Sequence, residues 1–252
     1  MLLRRSTSGA IVVQLGEHII KLGDGEVGAR VGEQAEWLHA VRGDGIVPVT
    51  MLTSNAYVMP VLNDWQPPIV ARDLWDRLTH LLETWVWSRP PMHTGEGMYP
   101  MQHKLTRCRA ALLHDGSSLL DLASQLMHDV DWHMLPRCLT HGDPTFANTM
   151  CDTHGELVLI DPLPSTWDVP DIRAKDIGKL LQTSMGYERE ILGQDFGLID
   201  PFWAQDLCMS SNEWRAAKFF GVLHIIRLIP YVAREGKNRE WATHAAETIA
   251  RL

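Results

Sequence analysis

Apolar and polar positions change their spacing about sixty residues into the chain. The first part alternates short runs rich in Ile and Val with turn residues, which is typical of β-strands. One stretch in this part, residues 29–41, instead has its apolar positions at helical spacing. The predicted strands are residues 10–15, 18–22, 46–52 and 56–62. This part is therefore predicted to be a small β-rich unit with one helix, and its first two strands are predicted to form a hairpin.

From residue 71 onward, apolar residues recur three and four positions apart, which indicates amphipathic helices. The first of these contains Leu74, Leu78 and Leu82, and we expect it to end before Pro90 because proline breaks a helix. The later helices are predicted at residues 117–130, 171–183, 210–234 and 238–251, and two short strands at 138–140 and 156–160. The second part of the chain is therefore predicted to be mostly helical.

This change of pattern divides the chain into two unequal lobes. We assign residues 1–62 to a small N-terminal lobe with its linker and residues 63–252 to a larger, mostly α-helical lobe. The predicted fold class is therefore α+β with two lobes. A cleft between two lobes is a common location for a ligand, so we expect the site there.

Composition and charge narrow the class of protein. The 252 residues are 45% hydrophobic and include ten Trp, which is enough apolar surface to fill a core and excludes a disordered chain. The formal net charge is -8, and a net acidic chain is poorly suited to holding nucleic acid by its phosphates. We therefore expect a small-molecule substrate as the partner and no nucleic acid.

The N-terminal sequence and the cysteines favour a cytoplasmic protein. Arg4 and Arg5 could be mistaken for a twin-arginine export signal, but the apolar run at residues 10–13 is too short for one. No window approaches the apolar length of a membrane span, so no membrane partner is expected. The four cysteines form no Cys-x-x-Cys pair, and we interpret them as reduced, buried thiols.

The segment that carries candidate chemistry is His141-Gly142-Asp143-Pro144-Thr145-Phe146-Ala147-Asn148, followed by Asp161. A strand, a loop and a second strand would bring Asn148 and Asp161 together at one end of a hairpin. Two oxygen ligands, completed by phosphate oxygens and water, suit Mg²⁺. Asp143 in the loop is then free to accept a hydrogen bond from a hydroxyl nucleophile.

This spacing resembles the catalytic loop and the metal-binding Asp of the protein-kinase superfamily. The His-Gly-Asp form is similar to that of the aminoglycoside phosphotransferase and choline kinase branch. The resemblance covers nearly the whole chain and implies the bilobal protein-kinase-like fold. It also implies transfer of the γ-phosphate of ATP, with Mg²⁺, to a hydroxyl of a small molecule such as a sugar, an amino sugar or an aminoglycoside.

The resemblance implies roles for five residues. Asp143 would be the catalytic base or the group that orients the hydroxyl, and His141 would brace the loop. Asn148 and Asp161 would hold Mg²⁺ together with the nucleotide phosphates. Lys21, on the second predicted strand, would pair with the α- and β-phosphates.

A second resemblance lies in the run from Asp171 to Leu180, which contains Asp-Ile-Gly-Lys-Leu. It is similar to a run found in bacterial and phage phosphotransferase-family proteins. By that resemblance, Asp176 would hydrogen-bond the backbone of the catalytic loop from its helix, which is a structural role.

The remaining predictions for the nucleotide site come from positions near Lys21 and in the linker. Ser8 and Gly9 are the candidates for a phosphate-binding turn, although a frayed N-terminus would have the same sequence. Either Glu33 or Glu36 could pair with Lys21, and we favour Glu33 because the short helix leaves it nearest the lysine strand.

The end of the last N-terminal strand resembles a kinase hinge, the segment that joins the two lobes. Backbone groups of Met59 and Val61 would then bind adenine, whereas Pro60 has no N–H to donate. An interior strand that leads into a linker would have the same apolar pattern, so this alternative stays open.

Several motifs compete with this interpretation. Residues 23–28 match the dinucleotide fingerprint G-x-G-x-x-G, but no acid ends the following strand, and we interpret them as a flexible turn. A protein kinase or a kinase-like regulatory module is the main alternative function. Only fifteen positions separate Asp161 from Asp176, which is too short for the activation segment of a protein kinase.

Two groups of charged residues are weaker candidates. Four acids could line the acceptor side and favour an amine-bearing sugar: Asp195, Asp200, Asp206 and Glu213. The densest group of potential metal ligands is His128, Asp129, Asp131 and His133, which we interpret as solvated positions at a helix end. The basic stretch 103–109 is the one feature that favours nucleic acid, and we interpret it as one face of a helix.

Overall fold

The structure is a computed structural model of the chain. It describes residues 2–5, 9–43, 45–62, 71–93, 106, 117–163, 170–197, 199–234 and 239–252. Ser8, Cys108 and most of the basic stretch 103–109 lie outside the described residues.

The N-terminal part contains an antiparallel sheet whose strands lie in the order β1-β2-β3-β5-β4. The strands are β1 (Leu2–Arg5), β2 (Ile11–Leu15), β3 (His18–Leu22), β4 (Thr50–Thr53) and β5 (Ala56–Pro60). The predicted hairpin is confirmed, because β2 and β3 pair directly across the turn at Gly16 and Glu17. The pairing of β3 with β5 sets Lys21 opposite Tyr57 in the middle of the sheet.

Helix α1 (Gly25–Val41) begins four residues earlier than the sequence predicted. It therefore includes Gly25 and Gly28, and the prediction of a flexible turn at residues 23–28 is wrong. A Cβ on Gly28 would lie 2.5 Å from the carbonyl oxygen of Gly23, so this glycine allows the helix to pack against the end of β3. The glycines thus serve close packing.

The segment at residues 46–49 does not belong to the N-terminal sheet, so the predicted strand 46–52 is wrong in its first half. Ile46 instead forms a parallel bridge with Leu159 of the large lobe, and the Val47 N–H donates to the Leu159 carbonyl at 3.2 Å. The side chains of Ile46 and Val47 are both buried at this junction. The segment is apolar because it joins the two lobes.

The C-terminal part is mostly helical, as predicted. Its helices are α2 (Ala71–Leu81), which continues as a π-helical turn (Leu82–Val86), α3 (Ser117–His128), α4 (Arg173–Ser184), a second π-helical turn (Glu188–Leu192), α5 (Phe202–Gln205), α6 (Ser211–Arg234) and α7 (Arg239–Arg251). Helix α4 is buried along most of its length and packs on α6, which packs on α7. A Cβ on Gly178 would lie 2.5 Å from the Phe220 Cβ, so glycine permits the close crossing of α4 and α6.

A short hairpin interrupts these helices. It consists of β6 (Thr149–Cys151) and β7 (Leu157–Leu159), which pair antiparallel. The strand predicted at 156–160 is therefore confirmed, whereas residues 138–140 form no strand and β6 was not predicted. Residues 138–140 are apolar or small because they are buried in the core.

The two parts make an α+β fold with a small antiparallel sheet and a larger helical lobe, as the sequence predicted. The boundary near residue 62 stays a prediction, since residues 63–70 lie outside the described chain. None of the helices that the structure describes is both long and apolar enough to cross a membrane.

Candidate active site

Residues 141–148 form the loop that leads into β6, and a glycine fixes the shape of this loop. Gly142 has φ +81°, in the left-handed region that disfavours other residues. A Cβ at this position would also lie 1.9 Å from the Leu163 carbonyl oxygen, so no side chain fits. The glycine of the His-Gly-Asp sequence is therefore required by the close approach of the segment that follows Asp161.

The first end of this loop is held by Asp176 of α4. Its carboxylate accepts hydrogen bonds from the backbone N–H of His141 at 2.8 Å and of Gly142 at 2.7 Å. The Trp87 indole N–H donates to the same group at 3.0 Å. Burial raises the pKa of Asp176 to about 6 despite these donors. The contact that the resemblance implied for Asp176 is therefore present.

The second end is held by Glu188, which the sequence analysis did not single out. One carboxylate oxygen, Oε1, accepts hydrogen bonds from the Phe146 N–H at 3.0 Å and from the Thr183 hydroxyl at 2.9 Å. Burial raises the pKa of Glu188 to about 7. Its place in a π-helical turn leaves no periodic pattern that would have marked it in the sequence.

The carboxylate of Asp143 lies between two donors and is partly open to solvent. Lys179 Nζ lies 2.9 Å from Oδ1, and the Asn148 amide donates to Oδ2 at 3.0 Å. Burial acts to raise the pKa of Asp143, but the charge and hydrogen bond of Lys179 outweigh it, and the pKa is lowered. Asp143 is therefore ionised at neutral pH and able to accept a proton.

Lys179 was not predicted as a site residue, although it lies in the same Asp-Ile-Gly-Lys-Leu run as Asp176. The two residues are three positions apart on α4, so they lie on the same helix face. Since Asp176 was expected to contact the catalytic loop, this spacing could have identified Lys179 as well.

His141 braces the loop from inside the protein. Its ring is fully buried, packs edge to face on Trp37 at 5.4 Å and lies 3.0 Å from the Ile160 carbonyl oxygen. Burial lowers the pKa of His141 to about 4, so the ring is neutral at pH 7. The Asp143 N–H points to the other ring nitrogen at 3.4 Å, so the tautomer that donates to Ile160 satisfies both contacts.

Asn148 and Asp161 lie next to each other at the open end of the β6–β7 hairpin. The Ile160 N–H donates to the Asn148 backbone carbonyl at 3.0 Å, which joins the two segments. The Asn148 side-chain nitrogen is directed to Asp143, so its amide oxygen points elsewhere. Asp161 has φ +52°, the one positive value among the described non-glycine residues.

These two residues fit a hard divalent cation. The donor set would be one amide oxygen and one carboxylate oxygen, which suits Mg²⁺ that takes its other ligands from phosphate and water. No cluster of three or more His, Cys, Asp or Glu side chains that could hold a metal occurs in the described part of the chain. A metal bound by Asn148 and Asp161 would take its remaining ligands from phosphate and water, because the pair supplies only two oxygen ligands.

Lys21 reaches this pair from the small lobe. It is only 2% exposed, and its Nζ lies 2.7 Å from Asp161 Oδ1. The Tyr57 hydroxyl lies 3.5 Å from the same oxygen. Burial and the nearby carboxylate raise the pKa of Tyr57, so the hydroxyl keeps its proton. The lysine predicted to bind phosphate thus lies beside the predicted metal ligand.

Helix α1 connects the small lobe to the segments that flank His141 and Asp161. The Gln34 side chain donates to the Pro162 carbonyl at 3.0 Å, and the Trp37 indole donates to the Thr140 carbonyl at 3.1 Å. Glu33, on the same helix, is half-buried. Its pairing with Lys21 stays a prediction.

Of the other residues predicted for the nucleotide site, the structure describes Gly9, Met59 and Val61. Gly9 is exposed, and its φ of +87° makes a turn before β2. Met59 is buried in β5. The Val61 N–H donates to the Glu17 carbonyl at 2.9 Å, so binding adenine through this group would require that bond to open. The roles of these residues, and of Ser8, stay predictions.

Three of the four acids suggested for the acceptor side accept hydrogen bonds from other groups of the protein. Glu213 is fully buried and forms a bidentate pair with Arg173 at 2.7 and 2.8 Å, so it cannot line an open acceptor site. Asp195 and Asp200 accept hydrogen bonds from nearby backbone N–H groups in turns. Glu213 is therefore excluded from the acceptor side, whereas the role suggested for Asp195, Asp200 and Asp206 stays a prediction.

The other candidate residues lie on the surface or in the core. The group at residues 128–133 that was considered for a metal is exposed at His128, Asp129, Asp131 and His133, as interpreted from the sequence. Cys138, Cys151 and Cys208 are free thiols, and Cys138 is buried as expected. Cys151 and Cys208 are half-buried.

The sheet order, the two-lobed arrangement and the hairpin that follows the 141–148 loop together define a protein-kinase-like fold. Solved structures of small-molecule kinases share it. The choline kinase LicA of Streptococcus pneumoniae has a TM-score of 0.60 at 12% identity, over 100% of this chain and 92% of that one. A choline/ethanolamine kinase family protein from Mesorhizobium loti has a TM-score of 0.54 at 13% identity, over 99% and 87%.

An aminoglycoside phosphotransferase, APH(2")-IIa in its gentamicin complex, is similar as well, with a TM-score of 0.55 at 12% identity over 100% of this chain and 91% of that one. No family model and no curated protein sequence matches the chain. At these identities, the likeness establishes the fold. The chain thus has the bilobal kinase-like architecture that the resemblance implied.

Proposed function

We propose that the protein is an ATP- and Mg²⁺-dependent phosphotransferase that moves the γ-phosphate to a hydroxyl of a small molecule. The observation that carries this proposal is the meeting of two carboxylates with their lysines at the junction of the lobes. Asp143 pairs with Lys179, and Asp161 pairs with Lys21 of the small lobe. Phosphoryl transfer needs this combination of a proton acceptor, a metal ligand and cations.

Asp143 would accept the proton of the acceptor hydroxyl. Its carboxylate is held by Lys179 on one oxygen and by Asn148 on the other, so its orientation is fixed before substrate binds. A fixed carboxylate favours a productive geometry, and general-base catalysis of this kind contributes about 10²- to 10⁴-fold in rate.

Asn148, Asp161 and Lys21 would bind the nucleotide and its metal. The Asn148 and Asp161 oxygens would hold Mg²⁺, while Lys21 would leave Asp161 and bind the α- and β-phosphates. The bound nucleotide would supply the phosphoryl group, and the metal would neutralise its charge. Until then, the 2.7 Å pair between Lys21 and Asp161 holds both side chains in place.

The related folds support a nucleotide and an alcohol acceptor. LicA has also been solved with AMP, APH(2")-IIa with ATP and streptomycin, and aminoglycoside 2'-phosphotransferase-IIIa with GDP. Kinases of choline and aminoglycosides act on hydroxyl-bearing small molecules. For this chain we propose a sugar, an amino sugar or an aminoglycoside-like acceptor, and a cytoplasmic location, where thiols such as Cys138 stay reduced.

An ADP-release assay with a panel of acceptors tests the proposal. The panel contains aminoglycosides, amino sugars, hexoses, choline and nucleosides, each with ATP and Mg²⁺. The Asp143→Ala and Asp143→Asn variants should lose about 10²-fold or more of the turnover while keeping the fold. The matched control is Asp152→Asn, an exchange in the β6–β7 turn, which should stay within twofold of the wild type.

Retained turnover in both Asp143 variants would contradict the assigned role of this residue. A wild-type chain that turns over no acceptor, although ATP with Mg²⁺ raises its thermal stability, would favour the alternative of a nucleotide-binding regulatory module. Stabilisation of about 2.7 kcal/mol is expected at ligand concentrations 100 times Kd.

A further inference from the structure

Each of the two carboxylates proposed for chemistry is paired with one buried lysine. Lys21 comes from the small lobe and pairs with Asp161 at 2.7 Å. Lys179 comes from α4 in the large lobe and pairs with Asp143 at 2.9 Å. The first lysine has a proposed task on the nucleotide, whereas the proposed function so far uses the second only to hold Asp143.

Lys179 is held so that its ammonium faces the catalytic loop. It is 9% exposed, and its Nζ lies between Asp143 Oδ1 and the Gln182 amide oxygen, which is 3.0 Å away. Gln182 is fully buried, and its amide nitrogen has no hydrogen-bond partner among the residues described. The lysine therefore fixes the orientation of this amide, because a flipped amide would place its NH₂ group against the ammonium.

A purely structural pair would be built differently. Arg173 and Glu213 form such a pair, in which two parallel hydrogen bonds join side chains that are 13% and 0% exposed. The Asp143 side chain is instead 30% exposed, and its second oxygen accepts a hydrogen bond from Asn148 and not from the lysine. The pair of Lys179 with Asp143 is therefore more open to solvent than the structural pair of Arg173 with Glu213.

Lys179 also has a donor left. An ammonium group carries three N–H donors, and in the described structure two of them are used by Asp143 and Gln182. The third lies at the edge of a carboxylate that must face the terminal phosphate, because the hydroxyl that Asp143 would deprotonate attacks there. A cation 2.9 Å from that carboxylate would then lie near the same phosphate.

We propose that Lys179 binds the γ-phosphate of the nucleotide, as a second cation supplied by the large lobe. This inference rests on the proposed function and adds a residue to it. A fixed cation next to the transferred group neutralises negative charge that develops there, and removal of one such group from an active site costs about 10²- to 10³-fold in rate. The lysines of the two lobes would then divide the phosphates between them: Lys21 the inner ones and Lys179 the terminal one.

Equilibrium binding of two nucleotides tests the proposal without an acceptor. Isothermal titration measures Kd for ADP with Mg²⁺ and for the non-hydrolysable analogue AMP-PNP with Mg²⁺. We expect Lys179→Gln to weaken AMP-PNP binding about tenfold or more and to leave ADP binding within twofold, because ADP has no γ-phosphate. The control Lys218→Gln, a half-buried lysine on α6, should change neither value.

The outcome separates a phosphate contact from a structural role. If Lys179 only supports Asp143 or the fold, its replacement will change both nucleotides equally or change neither, and either result overturns the proposal. Should Lys179→Gln fail to fold, as judged by circular dichroism, Lys179→Met keeps the apolar stem and undergoes the same comparison. Lys179→Arg retains the charge and should still bind AMP-PNP more tightly than ADP. Equal binding of the two nucleotides by this variant would also overturn the proposal.

Failure of the proposed function gives a different pattern. A wild-type chain that binds neither nucleotide overturns both the function and the role of Lys179. A wild-type chain that binds both nucleotides but phosphorylates no acceptor contradicts only the phosphotransferase function, and the effect of Lys179→Gln on AMP-PNP still decides the proposal.

Discussion

The backbone N–H of His141 donates a 2.8 Å hydrogen bond to Oδ2 of Asp176, a carboxylate with no exposed surface. Glu188 makes the corresponding contact with Phe146 at the other end of the loop. The loop at residues 141–148 is therefore held at both ends by buried acids of the large lobe. Its central residue, Asp143, stays partly open to solvent. The rigidity of the loop and the access to its carboxylate thus come from different side chains.

Asp176→Asn should damage the loop more than the overall fold. The amide keeps one acceptor oxygen but presents its NH₂ group to a backbone N–H, so a buried donor loses its partner. Such a loss costs about 1–3 kcal/mol. Urea unfolding at pH 7.5 should show this decrease, and ADP release should fall more steeply than the folded fraction does.

The matched control is Asp129→Asn, an exposed acid after α3, which should leave both measurements within error of the wild type. Unchanged activity in Asp176→Asn would show that the loop keeps its shape without this carboxylate.

Local patterns were enough to predict much of the frame. The β2–β3 hairpin follows from two Ile- and Val-rich runs around Gly16, and the buried helices follow from their periodic apolar positions. Residues 46–49 were misassigned because an apolar run shows that a segment is buried and not which sheet it joins. Ile46 pairs with Leu159, a contact that no local pattern encodes.

The contacts of the candidate site also fall into two groups: those that the local sequence predicts and those that only long-range packing creates. The adjacency of Asn148 and Asp161 was predicted because a hairpin of nearby residues brings them together. The pair of Lys21 with Asp161 joins residues 140 positions apart, and only the packing of the lobes creates it. Glu188 was missed for the same reason, since its partner Phe146 is 42 positions away.

Glu213→Ala should lower stability without changing acceptor choice. Its removal leaves the Arg173 guanidinium, whose side chain is 13% exposed, without its carboxylate, and breaking a buried pair costs about 3–5 kcal/mol. Thermal unfolding should detect this loss. The control Glu247→Ala removes the partner of Arg251 in an exposed pair on α7 and should change stability by less than about 1 kcal/mol.

A changed order of preference in the acceptor panel for Glu213→Ala, with stability retained, would contradict this assignment. It would place the carboxylate at an acceptor site and not in the core.

Gly142→Ala should abolish activity because of a steric clash. Gly142 and Gly155 have the same φ of +81°, so alanine brings the same backbone strain of about 1–2 kcal/mol at both positions. At Gly155 the added Cβ meets nothing within 4 Å, whereas at Gly142 it lies 1.9 Å from the Leu163 carbonyl. Gly155→Ala is thus a matched control for strain alone. Equal losses of activity in the two variants would argue against the clash.

Glu188 gives the protein a pH-dependent stability that Glu188→Gln should reduce. Burial raises its pKa from 4.5 to about 7, so the folded state binds the proton more tightly than the unfolded state does. Stability must therefore fall as the pH rises from about 4.5 through 7, by on the order of 3 kcal/mol. Asp176, with its pKa raised to about 6, acts in the same direction at lower pH.

The glutamine oxygen can accept the same hydrogen bonds from Phe146 and Thr183, so Glu188→Gln should keep the loop in place. It carries no titrating proton, and its stability should vary less between pH 5 and pH 8. Urea midpoints across this range measure the difference: the variant should match the wild type near pH 5 and exceed it near pH 8. Parallel curves for the two proteins would mean that Glu188 titrates at its ordinary value, and that its burial does not stabilise the protonated acid.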